Sequence, residues 1–459
     1  MELARRTVLV VGYGKTGRSL SRFLLERGSR VTINDIKNPE QLGEDLQALR
    51  EQGAQWVLGN HPVDLFTQAD VIVISPGVDP AIPAVQAARI RGIPIISEIE
   101  LASRFITTPI IGITGTNGKT TTTTLIYELL KAGGFSVCLG GNIGKPLIDF
   151  VNEGLTAQYL VVELSSFQLE GIDTFRPTFS VLLNITEDHL NRYSGFAAYR
   201  EAKFRLFMNQ TGTDAAFVNY DDEVCRLGFP SIRANLFPFS RSRTFDKGVF
   251  VRDGRLLFCD GRAPCQSYDL NGVKLRGPHN TENLLAAIGV AAACGCDPKI
   301  IEKTVNDFPG LEHRLEYVRD IEGMSFFNDS KSTTIDSTLK ALRSFDRPIV
   351  LIAGGREKGG DYSVLSTEIQ RRTRTLIAFG EAAEKFTKLF GSLTPTRSAA
   401  TLEEAVALAY ASAKPGDVVL LSPGCASFDL FSNYEERGRV FKDLVQNLAD
   451  SVSRARHKE

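Results

Sequence analysis

Residues 109–124 read PIIGITGTNGKTTTTT: a short apolar strand, a glycine turn, a lysine and a row of threonines. Such a turn cradles phosphate. The backbone N–H groups of Gly115, Thr116, Asn117 and Gly118 can curl round an anion while the following helix turns its positive end toward it. Lys119 is placed to neutralise the outer phosphates, and Thr120, with Thr121 behind it, supplies the hydroxyl that coordinates Mg²⁺ in such loops. In the common form the first glycine stands five residues before the glycine of the Gly-Lys pair, a place held here by Ile113. The glycines fall instead at 112, 115 and 118, giving G-x-x-G-x-x-G-K-T, a differently built turn. A turn that held nothing would have little use for Lys and Thr at a helix start.

Around this loop lie 459 residues, too many for one core and suited to about three domains. Before it, residues 7–104 alternate short Val/Ile runs (VLVVG, RVTIND, VIVISPG, PIISE) with helical segments such as SLSRFLLERG. That alternation predicts α/β architecture, with a parallel sheet and crossover helices. We expect a Rossmann-like domain over 1–105, a central parallel-sheet domain of P-loop ATPase type over 106–309, and a second Rossmann-like domain over 310–459. YLVVEL and FSVLLN supply further central strands; PIVLIAGG, TLIAFG and DVVLLSPG supply the last set. LLAAIGVAAACGC at 284–296 is too short to span a membrane and predicts a buried helix. The tail SRARHKE reads as an unstructured solvated end.

With 53 basic and 54 acidic residues no global field draws the chain to nucleic acid or an anionic membrane, so neither is expected as a partner. Seven cysteines, at 138, 225, 259, 265, 294, 296 and 425, form no C-x-x-C pair and read as reduced thiols. The compartment expected is the cytoplasm. The apolar run in MELARRTVLVVGYG is too short for a signal peptide and reads as the first strand.

That strand leads into Gly12-Tyr-Gly14-Lys-Thr-Gly17, with Asp35 ending the next strand, which alone is a dinucleotide-binding fingerprint. A nicotinamide-dependent oxidoreductase is therefore a competing reading. It leaves the second phosphate loop idle, whereas the same crevice can hold the diphosphate of a nucleotide sugar. Lys15, Thr16 and Lys37 would flank that diphosphate, and Ser75-Pro-Gly77 could close over it.

Glu163 ends YLVVE and should lie beside the phosphate-loop strand, where a carboxylate binds or orients Mg²⁺. A buried strand-end glutamate without such a partner would be costly. Ser165, Ser166 and Gln168 follow in a turn that could reach a substrate. After FSVLLN come Thr186, Glu187, Asp188 and His189, the last one of five histidines and placed for a metal or phosphate role.

The segments GITGTNGKTT, VVELSSFQLE, NITEDHLNRY, GPHNTEN, EHRLE, FNDSKSTT and LSPGCASFDLF occur in the order used by the Mur ligases, and the chain resembles that family over essentially its full length. The resemblance implies an ATP-dependent amino-acid ligase of peptidoglycan assembly, forming an amide between muramoyl-bound L-alanine and D-glutamate. The implied partners are UDP-N-acetylmuramoyl-L-alanine, D-glutamate and ATP, acting on a monomer. It implies two Mg²⁺ ions, one contacting Thr120 and Glu163, the other His189 and a carboxylated Lys203. Without the resemblance Lys203 would read as a surface lysine.

The resemblance also implies that Asn280 and Asn283 meet adenine or ribose, that Arg314 meets the nucleotide phosphates, and that Asp329 belongs to the same ATP set. Lys331, Thr333, Lys358, Ser427 and Tyr434 become the D-glutamate site, a dicarboxylic ligand that calls for cations. Asn142, in GGNIG, should join Ser165, Gln168, His189 and the first-domain residues at the UDP-linked substrate. Tyr434, Lys37 and Lys15 depart from the family pattern, standing where a phenylalanine, an arginine and an apolar residue can occur. Two related readings remain: folylpolyglutamate synthetase, which begins near its phosphate loop, unlike this chain, and sister Mur ligases. No D-N-P-R segment of the diamino-acid ligase is present.

Overall fold

The computed structural model describes residues 2–42, 45–189, 192–262, 264–275, 277–357 and 359–456. Contacts gather the chain into two compact units, Met1–Gly272 with Glu282–Asn306, and Val273–Thr281 with Asp307–Glu459.

In the first unit β1 (Thr7–Val11), β2 (Arg30–Asp35), β3 (Gln55–Leu58), β4 (Val71–Ile74) and β5 (Ile95–Ser97) form a parallel sheet, order β3-β2-β1-β4-β5. Val8, Val10, Val31 and Ile33 enter one apolar cluster while Leu9, Val11 and Ile72 enter another. Both faces are buried, so these strands read as continuous apolar runs.

The same unit holds a nine-stranded sheet of β6 (Ile110–Thr114), β7 (Val137–Gly141), β8 (Tyr159–Glu163), β9 (Phe179–Leu182), β10 (Ala215–Asn219), β11 (Asn235–Ser240), β12 (Lys247–Arg252), β13 (Arg255–Asp260) and β14 (Gln266–Asp269). Its order, β14-β13-β12-β11-β10-β9-β6-β8-β7, sets β6 between β8 and β9, all parallel. Their carboxyl ends therefore open side by side. Gly112 lies in β6, where an added Cβ would stand 3.0 Å from Leu164 and 3.2 Å from Leu206.

One expectation is corrected here. Cys259, on β13, and Cys265, just before β14, form a disulfide with Cα atoms 4.6 Å apart, so not all seven cysteines are thiols. Antiparallel pairing of β13 and β14 folds the chain back and sets the two sulfurs face to face, which spacing alone does not reveal. The other five are free.

The second unit carries β15 (Glu316–Ile321), β16 (Met324–Asn328), β17 (Ile349–Gly354), β18 (Thr373–Phe379), β19 (Thr396–Ala399) and β20 (Val418–Gly424), in the order β15-β16-β20-β17-β18-β19. Only β15 runs antiparallel. The predicted tail is also corrected: the last helix runs Tyr434–Arg456, so Ser453–Arg456 of the supposed unstructured end are helical. Phe441, Val445 and Ala449 recur at a spacing of four and bury one stripe, which anchors the helix and lets its basic end continue. The apolar run at 284–296 begins inside the Pro278–Ala293 helix and is buried, as expected. Among the described residues no helix is long and apolar enough to cross a membrane.

The two sheets of the first unit are clipped together by Glu98, which opens the Glu98–Ser103 helix, is 2% exposed and accepts the N–H of Ile148 at 2.6 Å. Burial pushes its carboxyl up to about 7, against the pull of the Ile148 N–H. Below the unfolded pKa both states hold the proton. As pH rises toward 7 the unfolded chain ionises first and stability falls, by up to about 3 kcal/mol for this group. We expect Glu98→Gln to gain about 1–3 kcal/mol on the wild type between pH 5 and pH 8 in urea unfolding. A constant difference across that range would refute the assignment.

Candidate active site

The phosphate loop leaves the end of β6 and enters the Lys119–Ala132 helix through Gly118, whose φ of +82° is left-handed. A Cβ at Gly118 would stand 2.3 Å from Asn283 Oδ1, so the position is closed to other residues by strain and by space. The loop is tied to the segment after β9. Thr116 N–H donates to Asn184 O (2.8 Å), Asn117 N–H to Asn184 Oδ1 (2.9 Å), and Thr186 N–H to Thr116 Oγ1 (3.1 Å). Asn283 Oδ1 accepts from Thr122 Oγ1 at 3.2 Å and so braces the helix that the loop begins.

Two lysine side chains converge on this loop. Lys119 Nζ donates to the carbonyls of Gly115 (2.9 Å) and Thr116 (2.7 Å), and Lys203 Nζ donates to the same Gly115 oxygen at 2.8 Å. Lys203 is 1% exposed, not a surface lysine. Burial first, and the Lys119 charge second, hold its amine well below the usual lysine range. It lies over the Tyr199 ring, 4.7 Å from the centroid, and the Tyr199 hydroxyl pairs with Thr116 Oγ1 at 3.0 Å.

Glu163 ends β8, which lies beside β6 as the sequence predicted, with Glu163 in register with Ile113. It is 2% exposed; Oε1 accepts from Asn142 Nδ2 at 2.7 Å, while Oε2 is buried with no hydrogen-bond partner among the described residues. A desolvated carboxylate oxygen with nothing to bind fits a hard cation. Asn142 also donates its N–H to Glu163 O (2.9 Å), so its amide aims that carboxylate. His189 has φ +52°, donates its N–H to Asp188 Oδ1 (2.9 Å) and rests its ring against Phe167 (4.8 Å) and Tyr199 (6.2 Å).

At the first sheet the fingerprint closes on itself. Asp35 accepts the N–H groups of Tyr13 (2.6 Å) and Lys37 (2.9 Å), one on each carboxylate oxygen. Ser75 Oγ donates to Gly12 O, and a Cβ at Gly17 would stand 2.1 Å from the same oxygen. Lys15 Nζ reaches Gly144 O at 2.5 Å; Thr16 is half-buried, and Lys37 and Gly77 are exposed. Ser165 and Gln168 cap the short Ser166–Glu170 helix with each other.

In the second unit Asp329 is buried and accepts from Ser332 Oγ (2.5 Å), Ser422 Oγ (2.8 Å) and Leu315 N–H (3.2 Å); burial raises its carboxyl to about 6. The neighbouring Lys331 ammonium lies 5.3 Å from the Tyr434 ring. Ser427 is buried, Thr333 N–H donates to Lys331 O (2.8 Å), and Arg314 N–H donates to Leu311 O (3.1 Å). Asn280 and Asn283 lie three residues apart, both buried, in the Pro278–Ala293 helix. Lys358 lies outside the described residues.

Family models match the chain in three stretches: a Mur ligase MurD-like N-terminal domain over 6–97, a Mur ligase middle domain over 113–291, and a Mur ligase glutamate ligase domain over 313–425. A Trichlorobacter lovleyi protein named UDP-N-acetylmuramoylalanine–D-glutamate ligase is 48% identical over 98% of this chain and 100% of its own. The chain belongs to the Mur ligases. A Geotalea uraniireducens ligase of the same name is 46% identical over 99% of the chain and 100% of its own. Among solved structures, a pseudomurein peptide ligase type C from Methanothermus fervidus aligns with TM-score 0.59 and 18% identity, covering 97% of this chain and 100% of its own. The Thermotoga maritima UDP-N-acetylmuramate-alanine ligase MurC aligns at 0.56 and 20%, covering 96% of this chain and 100% of its own. These two share the fold of a Mur ligase.

Reading this Mur ligase by sequence passed over two residues. Tyr199, four positions before Lys203 on the Phe196–Phe204 helix, could have been found from that spacing. Arg437 gave no local signal; it is fully buried and binds the backbone around Ser330 and Cys425.

Proposed function

We propose that this chain is an ATP-dependent ligase that joins D-glutamate to the alanine carboxyl of UDP-N-acetylmuramoyl-L-alanine in peptidoglycan precursor synthesis, forming ADP and phosphate. The observation that carries the phosphoryl-transfer reading is the convergence of two lysines on Gly115 O together with a buried Glu163 Oε2, on the strand beside β6, that has no partner among the described residues. The choice of D-glutamate rests on the names of the relatives that match the whole chain.

A carboxylate is a poor acyl donor. Its oxygen must first attack the γ-phosphorus while the bond to the β-phosphate oxygen breaks, giving an acyl phosphate and ADP. The glutamate amine then attacks the acyl carbon, phosphate leaves, and the nitrogen loses a proton. Lys119 and the amides of Gly115 and Gly118 hold the phosphates against their mutual repulsion, while the Thr116 and Asn117 N–H groups fix the loop to Asn184. Mg²⁺, when bound, would supply concentrated positive charge for the transferred phosphoryl group. Thr120 and Glu163 would hold one ion, His189 and Lys203 a second. For the latter, the Lys203 amine would add CO₂ and release a proton, exchanging an ammonium for an anionic carbamate; its burial and depressed basicity favour that step.

The remaining roles belong to the same reading. Thr116, Asn117, Thr121, Asn280, Asn283, Arg314 and Asp329 serve ATP. Lys15, Thr16, Asp35, Lys37, Ser75, Gly77, Asn142, Ser165, Gln168 and His189 serve the UDP-linked substrate. Lys331, Thr333, Lys358, Ser427 and Tyr434 serve D-glutamate. The domains divide at 1–105, 106–309 and 310–459, and the enzyme works as a cytoplasmic monomer. The test is phosphate release from Mg-ATP with UDP-N-acetylmuramoyl-L-alanine and, in turn, D-glutamate, L-glutamate, L-alanine or a diamino acid. Turnover is expected with D-glutamate alone. Turnover with another amino acid would move the specificity, and none with any would return attention to Gly12–Gly17.

A further inference from the structure

The amino-terminal edge of the second unit's sheet carries a cleft of about 530 Å³ that the ligase reading does not use. It is lined by Phe345, Asp346, Arg347 and Pro348, which lead into β17, and by Arg371, Arg372, Thr373 and Arg374 at the start of β18. The residues assigned to glutamate lie past the carboxyl ends of β16 and β20. A strand of six residues separates the two edges by about 17 Å.

Part of the basic charge is structural. Arg374 is held by the buried Asp417 through two bonds, 2.6 and 3.1 Å. Glu368 takes Arg343 and Arg372 at 2.8 Å each, and Arg372 Nη1 caps Phe345 O at 2.6 Å, so the chain end of the Ile335–Arg343 helix is already covered by a cation. These pairs account for Arg343, Arg372 and Arg374. They leave Arg347 and Arg371, one from each wall, both exposed and in no ion pair among the described residues. The same lining includes Thr373, 7% exposed, whose Oγ1 is buried with no hydrogen-bond partner among the described residues. A guanidinium pair offers forked donors that match a phosphate, and a threonine hydroxyl adds a further donor after rotation about its first side-chain torsion. Among the described residues Asp346 is the one carboxylate lining the cleft, against four arginines.

We propose that the cleft between Arg347 and Arg371 binds a small phosphate-bearing anion, held by both guanidinium groups and the Thr373 hydroxyl. Two sources share that chemistry, free inorganic phosphate and a phosphorylated metabolite. The test is calorimetric titration of the full chain, with a saturating non-hydrolysable Mg-ATP analogue so that the phosphate loop is filled through its γ position, using inorganic phosphate in one arm and ribose 5-phosphate in the other at fixed ionic strength. One site is expected per chain, weakened by about tenfold or more in Arg347→Ala/Arg371→Ala and by about threefold in Thr373→Val. The unfolding midpoint of the double variant should match the wild type. Tighter binding of ribose 5-phosphate would identify a metabolite site, and tighter phosphate a free-anion site. No binding of either anion to the wild type, or equal affinity in the double variant, overturns the proposal.

Discussion

Lys203→Ala is expected to lower phosphate release by about three orders of magnitude or more, equivalent to about 4 kcal/mol of transition-state stabilisation. The amine is 1% exposed and shares the Gly115 carbonyl with Lys119, so an ammonium there would be desolvated and beside a like charge. Both effects favour the neutral amine, Lys119 adding to burial, and the neutral amine is the form that takes up CO₂. Formate or acetate should restore part of the Lys203→Ala rate by placing a carboxylate in the space the side chain leaves. In the wild type, labelled bicarbonate should yield a carbamate carbon resonance absent from the variant. A variant within tenfold of the wild type, or a wild type without that resonance, would sink the carbamate assignment.

Arg437→Met should cost the second unit about 3–5 kcal/mol, read as a lower urea midpoint with unchanged slope. The guanidinium is fully buried and donates to Ser330 Oγ (3.0 Å), Ser330 O (2.8 Å), Ala426 O (3.2 Å) and Cys425 O (3.3 Å). Burial lowers its pKa to about 10, which leaves it charged at any ordinary pH, so the loss should not vary between pH 5 and 8. Methionine fills much of the volume but leaves the Ser330 and Cys425 carbonyls facing an apolar side chain. Arg437→Lys should recover little, because one ammonium cannot span the same fork of oxygens. Since Lys331 and Ser427 sit on the two loops that Arg437 joins, the KM for D-glutamate should rise in both variants. An unchanged midpoint in Arg437→Met would show that the buried cation is dispensable.

The strands legible in the sequence were those buried on both faces. VLVVG, YLVVE and PIVLIAGG are runs of branched apolar residues, and each is a central strand. β3, β15 and β19, edge strands with exposed positions, are not among the strands expected from sequence, and neither are the interior β10 and β16, whose AAFVN and MSFFN runs mix small, polar and aromatic residues in place of a branched apolar run. β13 and β14 failed for a related reason: their pairing depends on a hairpin, and so did the disulfide between them. At the candidate site, Glu163 was readable because a carboxylate closing an apolar strand has few structural excuses. Lys203 was not, since its helix carries Arg200 and Glu201 and looks solvated until its inner face is seen against the phosphate loop. Arg437 bonds to backbone atoms about a hundred residues away in the chain, a relation no local pattern encodes.

Gly112 gives the loop's unusual spacing a different meaning. Leu164 and Leu206 crowd the face of β6 where a side chain at 112 would project, so that glycine answers to the interior beneath the strand, while Gly115 and Gly118 answer to the turn above it. The interval of three residues between 112 and 115 that separates this loop from the common nucleotide-binding form is thus a footprint of two leucines, and the phosphate-facing signature begins only at Gly115.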